Sequence, residues 1–424
     1  MLTRLRLVNF KGFADATLKA GPFTVIVGAN ASGKSNIRDA FRFLHGIGRG
    51  YSIPEIIGGK YGAGGQAEWA QLRGAASEIA RFGTAGFSIE VDIKILKRSY
   101  RYIIDIQTDE RSRAGFKVTR EELILSGHTK IFTSHPGGYD PVQRQDDEGH
   151  LLLRMDKTGE QRKYGERIAV RPDQPAITQI GNFQRVARSH KEAARAVTEA
   201  LESMRFLDLV PEMMRKPAFP GQTVLGDFGE NLPTVLQDIC ADKARKEILS
   251  EWIRELTPLD VADFEFPRDQ ITGLVHLSIK EHNGQSISAY SASDGTLRFL
   301  AMLAALLGPE PASLYFFEEL DNGIHPSRLR LLLDLIETQT SKSNVQVITT
   351  THSPDLLAMI SDSTFGITSV VYRNERMASS SITPISLIDK ATELRNTQGL
   401  SRLHATGWIE DALSFSEHQD SDEL

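Results

Sequence analysis

One cysteine, Cys240, stands among 424 residues. A lone thiol forms no internal disulfide and supports no cysteine-based metal site, which fits a reducing compartment. Long apolar runs are missing too. The longest, Phe299 to Leu307, is less than half of the ~20 residues that a membrane-spanning helix needs. The start, Met1-Leu2-Thr3-Arg4-Leu5-Arg6-Leu7, carries no apolar signal core, so a cytoplasmic protein with no membrane part is expected. Charge of one sign is not in excess: 49 Lys and Arg oppose 55 Asp and Glu, a net −6. That gives no overall signature of nucleic-acid binding and leaves only a local basic patch for such a role. Internal repeats and a heptad kept over several turns are also absent, which excludes a solenoid and a long coiled coil. What remains is ordinary for a globular chain, 40% apolar and 25% charged. The length exceeds one average domain, although a large α/β unit with insertions uses most of it.

Against this background residues 28–35 stand out: Gly28-Ala29-Asn30-Ala31-Ser32-Gly33-Lys34-Ser35. The apolar run Phe23–Val27 leads into them, and Ile37, Ala40, Phe41 and Leu44 follow at the spacing of one buried helix face. Strand, glycine-rich loop and helix together form a phosphate-binding loop. Gly28 and Gly33 let the backbone turn so that N–H groups point inward at a β-phosphate, at the positive end of the helix. Lys34 is suited to the β- and γ-phosphates as a point charge, and the Ser35 hydroxyl to Mg²⁺. The competing reading is a turn that merely caps a helix, and a Lys–Ser pair has no use there.

The rest of the chain reads as alternating regimes. Residues 3–9 alternate like an edge strand, with Phe23–Val27 as the buried neighbour. The Gly-rich stretch 46–86 is taken as irregular insertion or lid. Phe87 to Ile95, Tyr102 to Ile106, Phe116–Leu125 and Leu151–Met155 then give an antiparallel meander. Near residue 185 the period turns helical. Ser189-His190-Lys191-Glu192 has the form of a capping box, and Asn231 caps a second helix running to Leu256. His282-Asn283-Gly284 marks a hairpin between Leu274–Lys280 and Gln285–Tyr290. From Thr296 helix and strand alternate, as in a parallel sheet. The expected division is an N-terminal lobe 1–180, a helical subdomain 181–265, a C-terminal lobe 266–375 and an extension 376–424 with an acidic tail, Ser414–Leu424.

Three further segments carry chemistry. Leu314–Phe317 is an apolar strand followed by Glu318 and Glu319. Strand alternation sends the two acids to opposite sides, Glu318 toward Mg²⁺ and Glu319 toward a water as general base. Solvated acids capping a strand are the plainer alternative. Val345–Thr351 is another buried strand, ending at His352, which sits one strand over from the acids and can reach a γ-phosphate. A lone histidine is more often structural. Ser291-Ala292-Ser293-Asp294-Gly295-Thr296 opens a helix with small residues, a second anion-binding surface or an ordinary N-cap.

In this order, GANASGKS, SASDGTLRFL, LYFFEELDNGIHP and VITTTHSP resemble the Walker A loop, signature, Walker B with D-loop, and switch histidine of ATP-binding-cassette ATPases of the SMC, RecF and OLD type. Asn9-Phe10-Lys11-Gly12-Phe13 is similar to the start of that family, where a basic residue lies near the nucleotide. Leu225–Leu232 is similar to a segment of short stand-alone prokaryotic members, many of them in defence or repair operons. The likeness covers residues 1–40 and 225–410. It implies a P-loop NTPase fold of the ABC-ATPase head type, with an antiparallel β subdomain and an inserted helical subdomain.

It further implies ATP and Mg²⁺ as ligands. Lys11, Gly28, Ala29, Asn30, Ala31, Ser32, Gly33, Lys34, Ser35 and Asn36 would hold the nucleotide from one chain. Ser293, Asp294, Gly295 and Thr296 would hold it from a second copy, in a head-to-tail homodimer with Asp321 and Asn322 as D-loop. Glu319, His352 and Lys34 are the implied catalytic residues, and Ser35, Glu318 and Gln179 the metal ligands, Gln179 as candidate Q-loop glutamine. Leu320 and Asp321 depart from the Glu-Glu-Pro-Glu-Asn-Gly usual in short members.

Three roles compete. The first is an ATP-hydrolysing switch for a separately encoded effector, a nuclease, since the roughly 70 residues after His352 are too few for a TOPRIM domain. The second is a clamp that grips DNA directly, through Arg111, Arg113, Lys117 and Arg120 or through Arg154, Lys157, Arg162, Lys163, Arg167 and Arg171. The third is a scaffold that binds ATP and barely turns over.

Overall fold

A computed structural model describes residues 1–109, 115–126, 129–135, 151–155, 167–256, 261–343, 345–374 and 378–388. The chain forms two compact units. One comprises Met1–Gly21, Gly28–Met204 and Ser369–Pro384; the other comprises Pro22–Val27, Arg205–Thr368 and the chain from Ile385. The acidic tail, and the extension beyond 388, lie outside the described residues.

In the first unit a sheet runs β11-β10-β9-β8-β7-β6-β1-β2-β19-β18. Its strands are β1 (Leu2–Phe10), β2 (Phe13–Lys19), β6 (Gly86–Ile95), β7 (Arg98–Asp109), β8 (Gly115–Leu125), β9 (Thr129–His135), β10 (Leu151–Met155), β11 (Arg167–Val170), β18 (Ser369–Asn374) and β19 (Ser379–Pro384). The meander β6 to β11 is antiparallel throughout. β1 lies between β2 and β6, so it is an interior strand and not an edge. Its charged alternate residues give it the pattern of an edge strand. Arg4 pairs with Glu90 at 3.2 Å, and Arg6 pairs with Asp15 at 2.6 Å and Glu90 at 3.0 Å. Cross-strand ion pairs thus let a polar face sit inside a sheet.

Four helices belong to this unit: α1 (Lys34–Gly48), α2 (Ile53–Gly58), α3 (Ala176–Gln179) and α4 (Arg188–Glu202). Ile37, Ala40, Phe41 and Leu44 of α1 are fully buried, as their spacing requires. α1 and α4 meet at their ends, where His45 Nδ1 lies 3.1 Å from the Leu201 carbonyl. The capping box at Ser189 does not form. α4 begins at Arg188 after Ala187, two residues before the expected start and without a side-chain cap, and Arg188 pairs with Glu192 at 2.7 Å. Residues 46–86 are not irregular throughout. They hold α2, with a capping box at Ser52 and Glu55, and a short hairpin of β4 (Lys60–Tyr61) and β5 (Ala67–Trp69).

In the second unit the sheet runs β3 (Phe23–Val27), β17 (Gln346–Thr351), β16 (Leu314–Phe317), β12 (Met204–Leu207). The pairs β3–β17 and β17–β16 are parallel, and all three strands are buried along their whole length. Parallel strands covered on both faces read as continuous apolar runs for this reason. The helices here are α5 (Pro211–Met214), α6 (Leu232–Ala241), α7 (Lys243–Leu256), α8 (Asp294–Leu307), α9 (Pro326–Lys342), α10 (Pro354–Met359) and α11 (Asp362–Phe365). The single helix expected from Asn231 to Leu256 is two, broken at Asp242, whose backbone is extended. The expected hairpin forms from β14 (Ser278–Glu281) and β15 (Ser286–Ser288), with β13 (Val261–Glu265) beside β14. The molecule is α/β, as expected, with an extensive antiparallel part. No helix among the described residues is long and apolar enough to cross a membrane.

Candidate functional site

The phosphate-binding loop follows β3 directly in sequence and ends in α1. Gly33 is the N-cap with φ +118°, a conformation that side-chain-bearing residues rarely adopt, and Ala31 is also left-handed at φ +63°. Gly28 is needed for a different reason. A Cβ there would lie 2.2 Å from the Val371 carbonyl oxygen, a backbone atom that cannot turn aside. Ala29, Asn30 and Ala31 are exposed at the tip, whereas Ser32 is buried and its Oγ has no hydrogen-bond partner. Lys34 folds back into the loop, donating to the carbonyls of Gly28 at 2.5 Å and Ala29 at 2.8 Å. Ser35 and Asn36 lie half-buried in the first turn of α1.

This geometry fits a phosphate group. A helix start leaves N–H donors without intrahelical acceptors, Ser32 holds an unsatisfied hydroxyl, and Lys34 rests on neutral carbonyls that charged phosphate oxygens outcompete.

Lys11 is placed differently from expectation. Its ammonium is bonded to Asp39 Oδ2 and, at 2.7 Å, to the Arg73 carbonyl, and its side chain is 8% exposed. In this structure the charge is compensated inside the unit. Gln179 is likewise bonded within the unit. Its amide nitrogen donates to the carbonyls of Arg171 at 3.1 Å and Gln174 at 2.9 Å, and its oxygen accepts from Arg171 N–H at 3.0 Å. It closes the turn into α3.

In the second unit, parallel pairing of β16 and β17 brings the residues after each strand together. Glu319 and His352 meet, with Oε1 to Nδ1 at 3.6 Å, and both side chains are nearly half exposed. Strand alternation is not what separates the two acids, because β16 ends at Phe317 and Glu319 occupies a left-handed turn position, φ +50°. The turn is held from β17: Glu319 N–H donates to Thr350 Oγ1 at 3.1 Å, and Thr351 Oγ1 donates to Asp321 Oδ1 at 2.8 Å. Asn322 Nδ2 donates to Glu319 Oε2 at 3.4 Å. Glu318 is half-buried at the strand end. Thr350 and Thr351 were not singled out from sequence. Their hydroxyls, in a run otherwise read as buried strand, were the available signal.

The signature segment opens α8 in the same unit. Ser293 is the N-cap, its Oγ accepting from Thr296 N–H at 3.2 Å, and it is exposed. Asp294 is paired with Arg215 at 2.5 Å. Gly295 has no room for a side chain, since a Cβ would lie 2.3 Å from the Gly323 carbonyl oxygen. Thr296, expected at the nucleotide, is 4% exposed and its hydroxyl lies against Ser293 Oγ at 2.8 Å. It supports the cap from inside.

No group of three or more His, Cys, Asp or Glu able to hold a metal occurs among the described residues. Mg²⁺ needs none: it takes one or two protein oxygens and fills its shell with phosphate and water, and the Ser35 hydroxyl is an oxygen of that kind. Of the residues expected at DNA, Arg120 pairs with Glu122 at 3.1 Å and Arg171 with Asp173 at 2.6 Å. Arg111, Arg113, Lys157, Arg162 and Lys163 lie outside the described residues.

Comparison with known proteins now bears on this geometry. The family described as "AAA domain, putative AbiEii toxin, Type IV TA system" matches residues 23–149 and 189–358, more than half of the chain. A chromosome partition protein Smc of Rhodopirellula baltica is 36% identical over 111 residues, 24% of this chain and 9% of that protein. A DNA replication and repair protein RecF of Allorhizobium ampelinum is 24% identical over 270 residues, 56% of this chain and 63% of that one. The chain thus spans less than two thirds of either relative. Among solved structures, an SMC head bound to the C-terminal winged-helix domain of ScpA shares 16% identity at TM-score 0.48, covering 92% of this chain and 99% of that one. An SMC head domain from Thermotoga maritima shares 14% at TM-score 0.44, covering 91% and 98%. The family match, joined to the phosphate loop and the acid–histidine turn, establishes that this chain belongs to the AAA-domain family so described, as an SMC/RecF-like ABC-type ATPase.

Proposed function

We propose that this protein binds and hydrolyses ATP with Mg²⁺, that ATP joins two copies head to tail, and that the closed dimer switches a separately encoded effector, a nuclease, in prokaryotic defence or DNA repair. The observation that carries the hydrolytic part is the turn that holds Glu319 against His352. A half-exposed carboxylate fixed in a left-handed conformation by threonine hydroxyls is more than an acid left at a strand end.

In this reading Lys34 exchanges the carbonyls of Gly28 and Ala29 for β- and γ-phosphate oxygens. Ser35 and Glu318 would hold Mg²⁺, which would neutralise phosphate charge. A water attacks the γ-phosphorus, the bond to the bridging oxygen breaks, and Glu319 accepts the water's proton, with His352 orienting the acid. Exposed Ser293 and the positive start of α8 face the nucleotide held by the other copy.

A mixing experiment tests the composite site. Lys34→Ala and Ser293→Arg chains are each expected to be inactive alone. A mixed head-to-tail pair carries both defects in one site and leaves the other intact. Random pairing then restores up to about a quarter of wild-type phosphate release. No recovery on mixing, with both variants folded, removes the dimer from the reading. The effector part is tested by co-expressing the neighbouring reading frame and measuring its nuclease activity with and without ATP.

A further inference from the structure

The hairpin of β18 and β19 meets the phosphate-binding loop at both of its glycines. At the first, the Val371 carbonyl of β18 occupies the space that a side chain on Gly28 would need. At the last, Ser380 of β19 does the same: a Cβ on Gly33 would lie 2.8 Å from Ser380 Oγ and 3.1 Å from Ser380 Cβ. Loop and hairpin belong to one compact unit, although the hairpin comes far later in the chain.

Ser380 is 8% exposed and is held by backbone bonds. It pairs with Phe13 at the start of β2, and its N–H donates to the Gly12 carbonyl at 2.7 Å. A Cβ on Gly12 would lie 3.1 Å from Ser380 Oγ and 3.3 Å from Asn36 Nδ2, in the first turn of α1. The Phe13 ring closes the same space, 3.3 Å from a Cβ on Gly33. One small side chain therefore fills the gap between the β1–β2 turn and the start of the phosphate-binding helix.

What Ser380 presses on matters for a ligand. Gly33 is the left-handed N-cap of α1, and the N–H groups of Asn36 and Ile37 donate to its carbonyl at 3.0 Å and 3.3 Å. Its peptide planes decide where the unpaired N–H groups at the helix start point. Glycine without a Cβ has many conformations open to it, so a neighbour must select the one required. At the other end, the Gly28 carbonyl is one of the two on which Lys34 rests. Between these anchors the tip, Ala29–Ala31, is exposed. Contacts packed this closely pass a displacement on instead of absorbing it.

We propose that Ser380 is a positioning residue for nucleotide binding. Acting through Gly33, it sets the direction of the N–H groups that meet the phosphates, and the β18–β19 hairpin is the backing against which the loop is formed. Side-chain size at position 380 thereby determines nucleotide affinity. This rests on the ATP-binding reading above, and the measurements are chosen to keep the two apart.

The experiment compares the full-length wild type with Ser380→Ala, Ser380→Thr, Ser380→Val and Ser381→Val, the last on the opposite face of β19. A fluorescent ATP analogue with Mg²⁺ gives Kd, urea midpoints give stability, and hydrogen exchange without nucleotide reports the amides of Asn36 and Ile37. Ser380→Val puts a second branch against Gly33 and is expected to raise Kd roughly 5- to 150-fold, the span of an overpacked contact felt by the bound loop. Ser380→Thr raises it less, while Ser380→Ala, which adds no bulk, and Ser381→Val stay within about threefold. A merely structural role lowers the folded fraction, and with it the signal amplitude, without moving Kd. A Kd that stays within threefold across the Ser380 variants therefore refutes the proposal, and so does an equal rise in Ser380→Val and Ser381→Val. A loss in Ser380→Ala as large as that in Ser380→Val shows a hydroxyl in direct contact with nucleotide and overturns the positioning role. If the wild type binds no ATP analogue, the earlier reading fails instead. The packing is then judged by exchange alone: faster exchange at Asn36 and Ile37 in Ser380→Val supports it, and unchanged exchange refutes it. Should Ser380→Val not fold, Ser380→Thr decides by the same comparison.

Discussion

Glu319 allows rate and stability to be separated in one experiment. Its side chain is 41% exposed, His352 Nδ1 lies 3.6 Å from it, and its bond from Asn322 is long at 3.4 Å. Exposed pairs of this kind contribute at most about 1 kcal/mol. Glu319→Gln therefore changes the unfolding free energy by less than about 1 kcal/mol. In the proposed reaction the same substitution removes the proton acceptor, a role worth roughly 10²- to 10⁴-fold in rate, or about 3 to 5 kcal/mol in the barrier. Glu319→Gly adds a second arm. A left-handed non-glycine residue carries about 1–2 kcal/mol of steric cost, which glycine escapes while losing some chain entropy. That variant is expected to be as inactive as the glutamine form and no less stable than wild type. Single-turnover phosphate release at saturating ATP gives the rate, and urea midpoints with constant slope give the stability. Hydrolysis by Glu319→Gln within threefold of wild type refutes the general base. A Glu319→Gly variant less stable by more than about 1 kcal/mol refutes the strained turn.

Three further outcomes follow from local geometry. Gly28→Ala drives a Cβ to 2.2 Å from the Val371 carbonyl oxygen, so denaturation is expected to show a loss of about 1–3 kcal/mol, with ATP binding abolished at permissive temperature. Thr351→Val removes the hydroxyl that donates to Asp321 at 2.8 Å and accepts from Ser353 N–H at 2.9 Å. It is expected to cost 1–3 kcal/mol, as for a buried acceptor left unmade, and to lower the hydrolysis rate more than ATP affinity. Glu121 is fully buried and accepts from Tyr102 Oη at 2.9 Å and from Ile177 and Ala176 N–H; burial outweighs these bonds and pushes its carboxyl up to about 7. Its folded value lies above the unfolded 4.5, so its contribution is complete below pH 4.5 and is lost as pH rises through 7. The difference amounts to roughly 3 kcal/mol at most, and Glu121→Gln is expected to flatten the stability profile across pH 4.5 to 7.

How much was legible depended on how local the cause was. The phosphate loop could be read because strand, glycines, Lys34 and one helix face lie within about two dozen consecutive residues. The parallel strands β3, β16 and β17 announced themselves as apolar runs for the same reason. Non-local causes stayed hidden. β1 was read as an edge because Arg4 and Arg6 alternate with apolar residues, and only the partners Glu90 and Asp15 show that the charges sit inside a sheet. The break at Asp242 leaves no glycine or proline to mark it. Lys11 was placed by resemblance, while its actual acceptors, Asp39 and Arg73, lie 28 and 62 residues away in sequence. Gln179 was chosen for its position before the helices, and its amide is consumed within eight residues of itself.

Backbone strain sorts the candidate functional positions from the rest in a way that side-chain type does not. Among the described residues, six non-glycine positions have positive φ: Asn9, Lys11, Ala31, Leu96, Glu319 and Ala378. Leu96 lies between the hairpin partners β6 and β7, and Ala378 immediately before β19, where tight turns account for them. The other four fall on the phosphate loop, on the turn wedged against its helix, and on the acid turn. Each costs of order 1–3 kcal/mol and persists only where neighbouring bonds over-determine it. At Glu319 those bonds come from Thr350, and at Lys11 from Ile79, Arg73 and Asp39. A fold under no constraint but stability would place glycine or asparagine at such positions. Three of the four carry an alanine, a lysine and a glutamate, each on a segment that the family resemblance singles out, so the strain follows the candidate functional segments and not the ordinary turn-forming residues.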